Sequence, residues 1–268
     1  MSKFEITPLD KQKHTNISTV PQHPFTCYIT GAKCSGKSTL ILNLLLKEEF
    51  LNAKFNKVYF VSKTCKLDAK LNVLKEKDIT IPNYKLIKLL RSLKKKKQIM
   101  SSIDDIPEDL TRNMDEDDFI EDITPEFLEQ IIQEQKYIIK NFGKQFADRI
   151  LIVLDDSISD KTLNTSFFKN MVFNSRHLNI SMIIVSQSYY CLQKSVRNNN
   201  SHLILYETGN ISELKDIYSE NAGKHSFNTF LKMYRECIDE PFGFIVINYQ
   251  NPMKYRFQNQ FKQFLQIE

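Results

Sequence analysis

The segment Gly31-Ala-Lys-Cys-Ser-Gly-Lys-Ser38 fits the pattern G-x-x-x-x-G-K-[ST] in full. Its chemistry is anion binding. Gly31 and Gly36 permit a backbone turn that points successive N–H groups inward at phosphate oxygens. A helix starting at the loop adds its positive end to the same site. Lys37 then reaches the β- and γ-phosphates of a nucleoside triphosphate, and the Ser38 hydroxyl ligates Mg²⁺. The stretch from Gly31 to Thr39, with Ala32, Lys33, Cys34, Ser35 and Gly36 between its ends, is the candidate ATP cradle.

A second set of groups lies more than a hundred residues downstream. Arg149-Ile-Leu-Ile-Val-Leu-Asp-Asp156 is an apolar run that ends in two acids. Asp155 is placed as the Mg²⁺ ligand, and Asp156 as the acid that orients or deprotonates the attacking water. Gln187 closes the next apolar run, where a side-chain amide can sense the γ-phosphate or position water. Arg176 precedes that run and Arg197 follows it. Either guanidinium could serve as an arginine finger from a neighbouring subunit, and a surface salt bridge is the plain alternative for both.

These groups need strands that end at one edge. Phe25–Thr30 reads as a short strand running into Gly31, and the apolar stretch from Ser38 to Glu49 as a buried helix. Lys57–Ser62 is a second strand. The apolar runs 149–155 and 181–187 fit strands buried on both faces of a parallel sheet, and His202–Tyr206 repeats the theme. Helices are expected at Tyr84–Leu93, Pro125–Phe142, Phe167–Phe173, Ile211–Tyr218 and Ser226–Cys237, with a short strand near Asp78–Ile81. Phe242–Tyr249 and Met253–Phe257 read as a C-terminal β-hairpin. The fold class is therefore α/β, a mostly parallel sheet flanked by helices.

Composition sets outer bounds. The chain has 268 residues, 41% hydrophobic and 26% charged, which suits one domain with an insertion. We read 1–22 as an N-terminal arm and 23–268 as the catalytic domain, with an insertion at about 66–148. Within it, Lys94–Lys97 is a cationic run and a possible grip on DNA, and Asp104–Glu126 is expected to be a solvated acidic stretch. The five cysteines form no C-x-x-C, which argues against a zinc site or disulfide framework and for a reducing compartment. No apolar run is long enough to cross a bilayer, so a soluble, non-secreted protein with no membrane partner is expected.

Four pieces, in order, resemble the FtsK–HerA superfamily of DNA-pumping ATPases, above all the virion genome-packaging ATPases of large cytoplasmic DNA viruses and virophages. They are Ile29–Ser38, Leu151–Asp156, Asn174–Tyr190 and Val196–Asn199. The resemblance implies a RecA/FtsK-like P-loop fold and an oligomeric ring, usually a hexamer, that threads double-stranded DNA. It also implies capsid proteins as partners, and the virion and host cytoplasm as location. By position, Asp155 matches the Mg²⁺-coordinating acid, Asp156 the catalytic acid, Gln187 the polar sensor and Arg176 the trans-acting finger. Arg197-Asn198 matches an Arg-x-Asn-type element. Many superfamily members carry Glu where this chain has Asp156, so a shorter carboxylate must reach the water here. Two other readings stay open on the residues: a P-loop nucleoside or nucleotide kinase, and a non-hydrolysing nucleotide-dependent scaffold.

Overall fold

The computed structural model describes residues 17–52, 54–65, 68–76, 114–155, 165–221, 223 and 225–265. The strand expected near Asp78–Ile81, the helix at Tyr84–Leu93, the Lys94–Lys97 run and Asp156 lie outside the described residues.

In chain order the elements are β1 (Thr26–Thr30), α1 (Lys37–Leu46), β2 (Lys57–Val61), α2 (Ala69–Glu76), β3 (Phe119–Ile120), α3 (Pro125–Phe142), β4 (Ile150–Asp155) and α4 (Ser166–Asn174). They continue as β5 (Ile180–Ser186), α5 (Lys194–Arg197), β6 (His202–Tyr206), α6 (Ile211–Asn221), α7 (Phe227–Ile238), β7 (Phe244–Asn248), β8 (Phe257–Asn259) and β9 (Gln263–Phe264). Among the described residues these strands form one sheet in the order β3-β2-β4-β5-β1-β6-β7-β8-β9. The first six of that order run parallel, and β7, β8 and β9 are antiparallel additions.

Alternation along the apolar strands explains the layers. Ile150, Ile152 and Leu154 of β4 face one core with α3, α4, α6 and α7, whereas Leu151 and Val153 face the other with α1 and α2. Strand β5 divides likewise, with Met182 and Ile184 on one side and Ile183 and Val185 on the other. Runs without polar interruption are what a sheet covered on both faces requires.

Helix α3 matches its expected bounds because both ends are signalled locally. Thr124 Oγ1 accepts from the Phe127 N–H at 3.2 Å and Pro125 occupies the first turn. Gly143 ends the helix at φ 97°, and its N–H bonds to Ile139 O.

Three expectations need correction. Part of the acidic stretch is folded: Met114, Phe119 and Ile123 are buried between the acids, and β3 pairs with the edge of β2. Asp118 turns inward there and accepts from the Asp115 N–H at 3.2 Å, whereas Asp115, Glu116, Asp117, Glu121, Asp122 and Glu126 stay exposed as expected. Helix α1 stops at Leu46 rather than Glu49. In the C-terminal hairpin, Met253–Tyr255 is a 3₁₀ turn following Pro252, and the second strand begins only at Phe257. The end of the N-terminal arm packs on that connection: Asn248 and Asn251 side chains both donate to Ser18 O, at 3.2 and 2.8 Å.

Candidate functional site

Strand β1 delivers the chain into the Gly31–Ser38 loop. Gly31 is required by a neighbour, since a Cβ there would lie 2.5 Å from Tyr206 Cβ on β6. Gly36 is required by conformation, with φ 99°, and it caps α1. Lys37 is buried, and its Nζ donates to Gly31 O at 2.8 Å and Ala32 O at 2.7 Å. The ammonium therefore sits inside the loop. Ser35 Oγ is buried with no hydrogen-bond partner. An orphaned hydroxyl in the same loop as the ammonium fits an anion that accepts from it. Ala32, Lys33, Cys34 and Thr39 are exposed along the loop, and Cys34 adopts φ 64°.

Register brings the distant acid to this loop. Thr30 pairs with Ser186 and Asp155 with Val185, so β1, β5 and β4 end together at one sheet edge. Across that edge the Ser38 hydroxyl donates to Asp155 Oδ2 at 3.3 Å. One hydroxyl and one carboxylate are the small oxygen set that Mg²⁺ takes when phosphates and water complete its shell. Among the described residues no group of three or more His, Cys, Asp and Glu forms a metal cluster.

Gln187 follows β5, exposed at the same edge and between the ends of β4 and β1. Its flanks are anchored. The hydroxyls of Tyr28 and Ser186 lie 2.6 Å apart, and both donate to Ser188 O at 2.7 Å. Burial pushes the Tyr28 phenol well above its ordinary pKa and keeps it neutral. The Glu213 carboxylate of α6 accepts from Ser188 Oγ, from the Tyr189 N–H and from Thr208 Oγ1. Sequence reasoning missed Tyr28 and Glu213, because a tyrosine inside a strand and a glutamate on a helix carry no local signature.

The two arginines are placed differently. Arg176 is exposed before β5, at the sheet edge opposite the Ser38–Asp155 pair. Its carbonyl accepts from Lys144 Nζ at 2.6 Å. Arg197 is enclosed: its Nε and Nη2 donate to the two Glu220 oxygens at 3.0 and 2.8 Å. Nη1 donates to Leu192 O, and the guanidinium stacks 4.4 Å from the Tyr189 ring centroid. Each of the three guanidinium nitrogens of Arg197 thus donates within its own chain, which is the geometry of an internal anchor.

Two cavities flank the loop. One of 540 Å³ runs from Ala32–Ser35 to the Asp239–Gly243 turn, and one of 200 Å³ lies between α1 and the Tyr206, Phe242 and Phe244 side chains.

The Poxvirus A32 protein family model matches residues 117–248, a span holding three of the four pieces behind the sequence resemblance but not the phosphate loop. No curated protein matches the chain. Among solved structures, B204, the DNA-packaging ATPase from Sulfolobus Turreted Icosahedral Virus, is 16% identical over 85% of this chain and 94% of that one, with a TM-score of 0.50. B204 from Sulfolobus turreted icosahedral virus 2 in complex with AMPPCP is 14% identical over 84% and 92%, with a TM-score of 0.49. The chain thus has the α/β sheet of P-loop NTPases and is similar to the Poxvirus A32 protein over residues 117–248, in keeping with the resemblance to viral genome-packaging ATPases.

Proposed function

We propose that this chain is a Mg²⁺-dependent ATPase that drives double-stranded DNA into a viral capsid as a subunit of a homo-oligomeric ring, the hexamer being the ring implied by the family resemblance. The observation that carries the hydrolase reading is the 3.3 Å contact between Ser38 Oγ and Asp155 Oδ2. It joins a phosphate loop to an acid that is 117 residues away in sequence.

Residues 31–39 are assigned to the triphosphate, with Lys37 exchanging the Gly31 and Ala32 carbonyls for phosphate oxygens. Ser38 and Asp155 are assigned to Mg²⁺, which when bound neutralises charge on the β- and γ-phosphates. Asp156 is assigned the proton of the attacking water on sequence grounds, and Gln187 the positioning of that water. Arg176, remote from its own subunit's site, suits a role in a neighbour's. Arg197 is assigned to holding α5 against α6. The DNA-packaging role rests on the family match and on a fold shared with B204, a DNA-packaging ATPase.

The test is ATP turnover of the full chain with and without linear duplex DNA. DNA should raise turnover, and Lys37→Ala should abolish it. Asp156→Asn should leave ATP binding largely intact while blocking hydrolysis. Equal rates with and without DNA, together with phosphoryl transfer to a nucleoside, would instead identify a kinase.

A further inference from the structure

Resting on the phosphate-loop reading, we infer that Phe242 is the stacking platform for the nucleotide's purine base, in the groove between α1 and the tips of β6 and β7.

Three observations converge on this residue. Phe242 has φ 62°, a left-handed conformation that is strained for an L residue with a side chain. The ring is nevertheless left 68% exposed, so the strain is not offset by burial in a core. It is also held in register with the loop, since a Cβ on Gly36 would lie 3.1 Å from Phe242 Cδ1.

The turn behind it is tight. The Gly243 N–H donates to Glu240 O at 2.9 Å, and a Cβ on Gly243 would lie 2.2 Å from Cys237 O. Helix α7 and strand β7 therefore fix the phenyl ring beside the start of α1. The 200 Å³ cavity at this point has Thr39, Leu40 and Asn43 of α1 on one side and the rings of Tyr206, Phe242 and Phe244 on the other. Tyr206 and Phe244 support each other, with centroids 5.1 Å apart.

A triphosphate on the loop leaves its nucleoside end near the first turn of α1, and this cavity borders that turn at Gly36 and Thr39. Its lining includes no charged side chain, and its one amide, Asn43, donates Nδ2 to Thr39 O at 3.0 Å. A flat ring between an aromatic face and an aliphatic wall is the occupant this chemistry accepts. With so few polar groups, adenine and guanine should bind within a few-fold of each other.

The experiment compares Mg²⁺–ATP, Mg²⁺–GTP and Mg²⁺–tripolyphosphate binding to the full chain by calorimetry. Phe242→Ala should weaken ATP and GTP about five- to 150-fold, the range expected for loss of base–aromatic stacking, and leave tripolyphosphate unchanged. Phe242→Leu, which keeps an apolar side chain against Gly36, should lose most of the same affinity, and Phe242→Tyr should retain it. Unchanged ATP affinity in Phe242→Ala overturns the inference, as does equal weakening of ATP and tripolyphosphate, which would make Phe242 a prop for the loop. Wild-type protein that binds neither ligand overturns the phosphate-loop reading itself.

Discussion

The backbone N–H of Tyr189 donates to Glu213 Oε1 at 2.6 Å, tying the segment after β5 to helix α6. The same carboxylate takes Ser188 Oγ at 3.0 Å and, through Oε2, Thr208 Oγ1 at 2.7 Å. One buried side chain thus holds the connections that leave β5 and β6. Gln187 lies immediately before the clamped residues.

Removing that clamp should loosen Gln187 without touching the nucleotide. Glu213→Ala is expected to lower kcat about ten-fold or more while changing KM for ATP little, since displaced positioning groups act on the chemical step. Glu213→Gln keeps an acceptor oxygen and should recover much of the rate. A KM effect of the same size in Glu213→Ala would show that the contact shapes binding instead.

The Arg197–Glu220 pair makes a pH prediction. Burial alone would raise the Glu220 carboxyl, but hydrogen bonds from Arg197 and Tyr189 outweigh it and hold the pKa below its ordinary 4.5. A depressed carboxyl pKa gives stability that is complete above 4.5 and lost as pH falls through the lower folded value. Glu220→Gln should therefore be less stable than wild type at pH 7, by less than the roughly 3–5 kcal/mol of a broken fully buried pair because Glu220 is half-buried. That gap should narrow as the pH is taken below 4.5. A gap independent of pH would refute the assignment.

His23 acts in a higher window. Its Nδ1 lies 2.7 Å from Ser181 Oγ, and its Nε2 lies 3.0 Å from Asn179 Oδ1. Ser181 Oγ also accepts from the Phe25 N–H, which fits a neutral ring protonated on Nε2. Burial, against the Asn179 hydrogen bond, pulls the pKa from 6.5 to about 4. The unfolded chain then takes up the proton first, so stability is full above 6.5 and declines toward pH 4. Thermal melts should show a loss of about 1–2 kcal/mol between pH 7 and 5, and His23→Gln should flatten that slope.

The sequence made the strand-loop-helix at 26–46 and the runs at β4 and β5 legible, because an uninterrupted apolar stretch has few placements other than the middle of a covered sheet. The meeting of Ser38 with Asp155 was legible as well, since motif and strand end each point to one sheet edge. The strand at Phe119–Ile120 was hidden by its acidic neighbours, whose charge dominates any window average while Met114, Phe119 and Ile123 enter the core. Arg197 looked available from its type and place. Only the fold brings Glu220 and Tyr189 against it, from 23 and 8 residues away. Phe242 reads in the sequence as the first residue of a strand at Phe242–Tyr249, but the strand begins at Phe244, and nothing local says what the ring faces.

Strand β5 lies between β4 and β1, paired along its length to both. A slip of one residue would break register with both neighbours at once and carry Met182 and Ile184 into the layer packed around Ile183 and Val185, which holds the strand against sliding. In the proposed ATPase, a change at Gln187 would pass outward through the Ser188–Gln193 connection, which Glu213 of α6 holds at Ser188 and Tyr189.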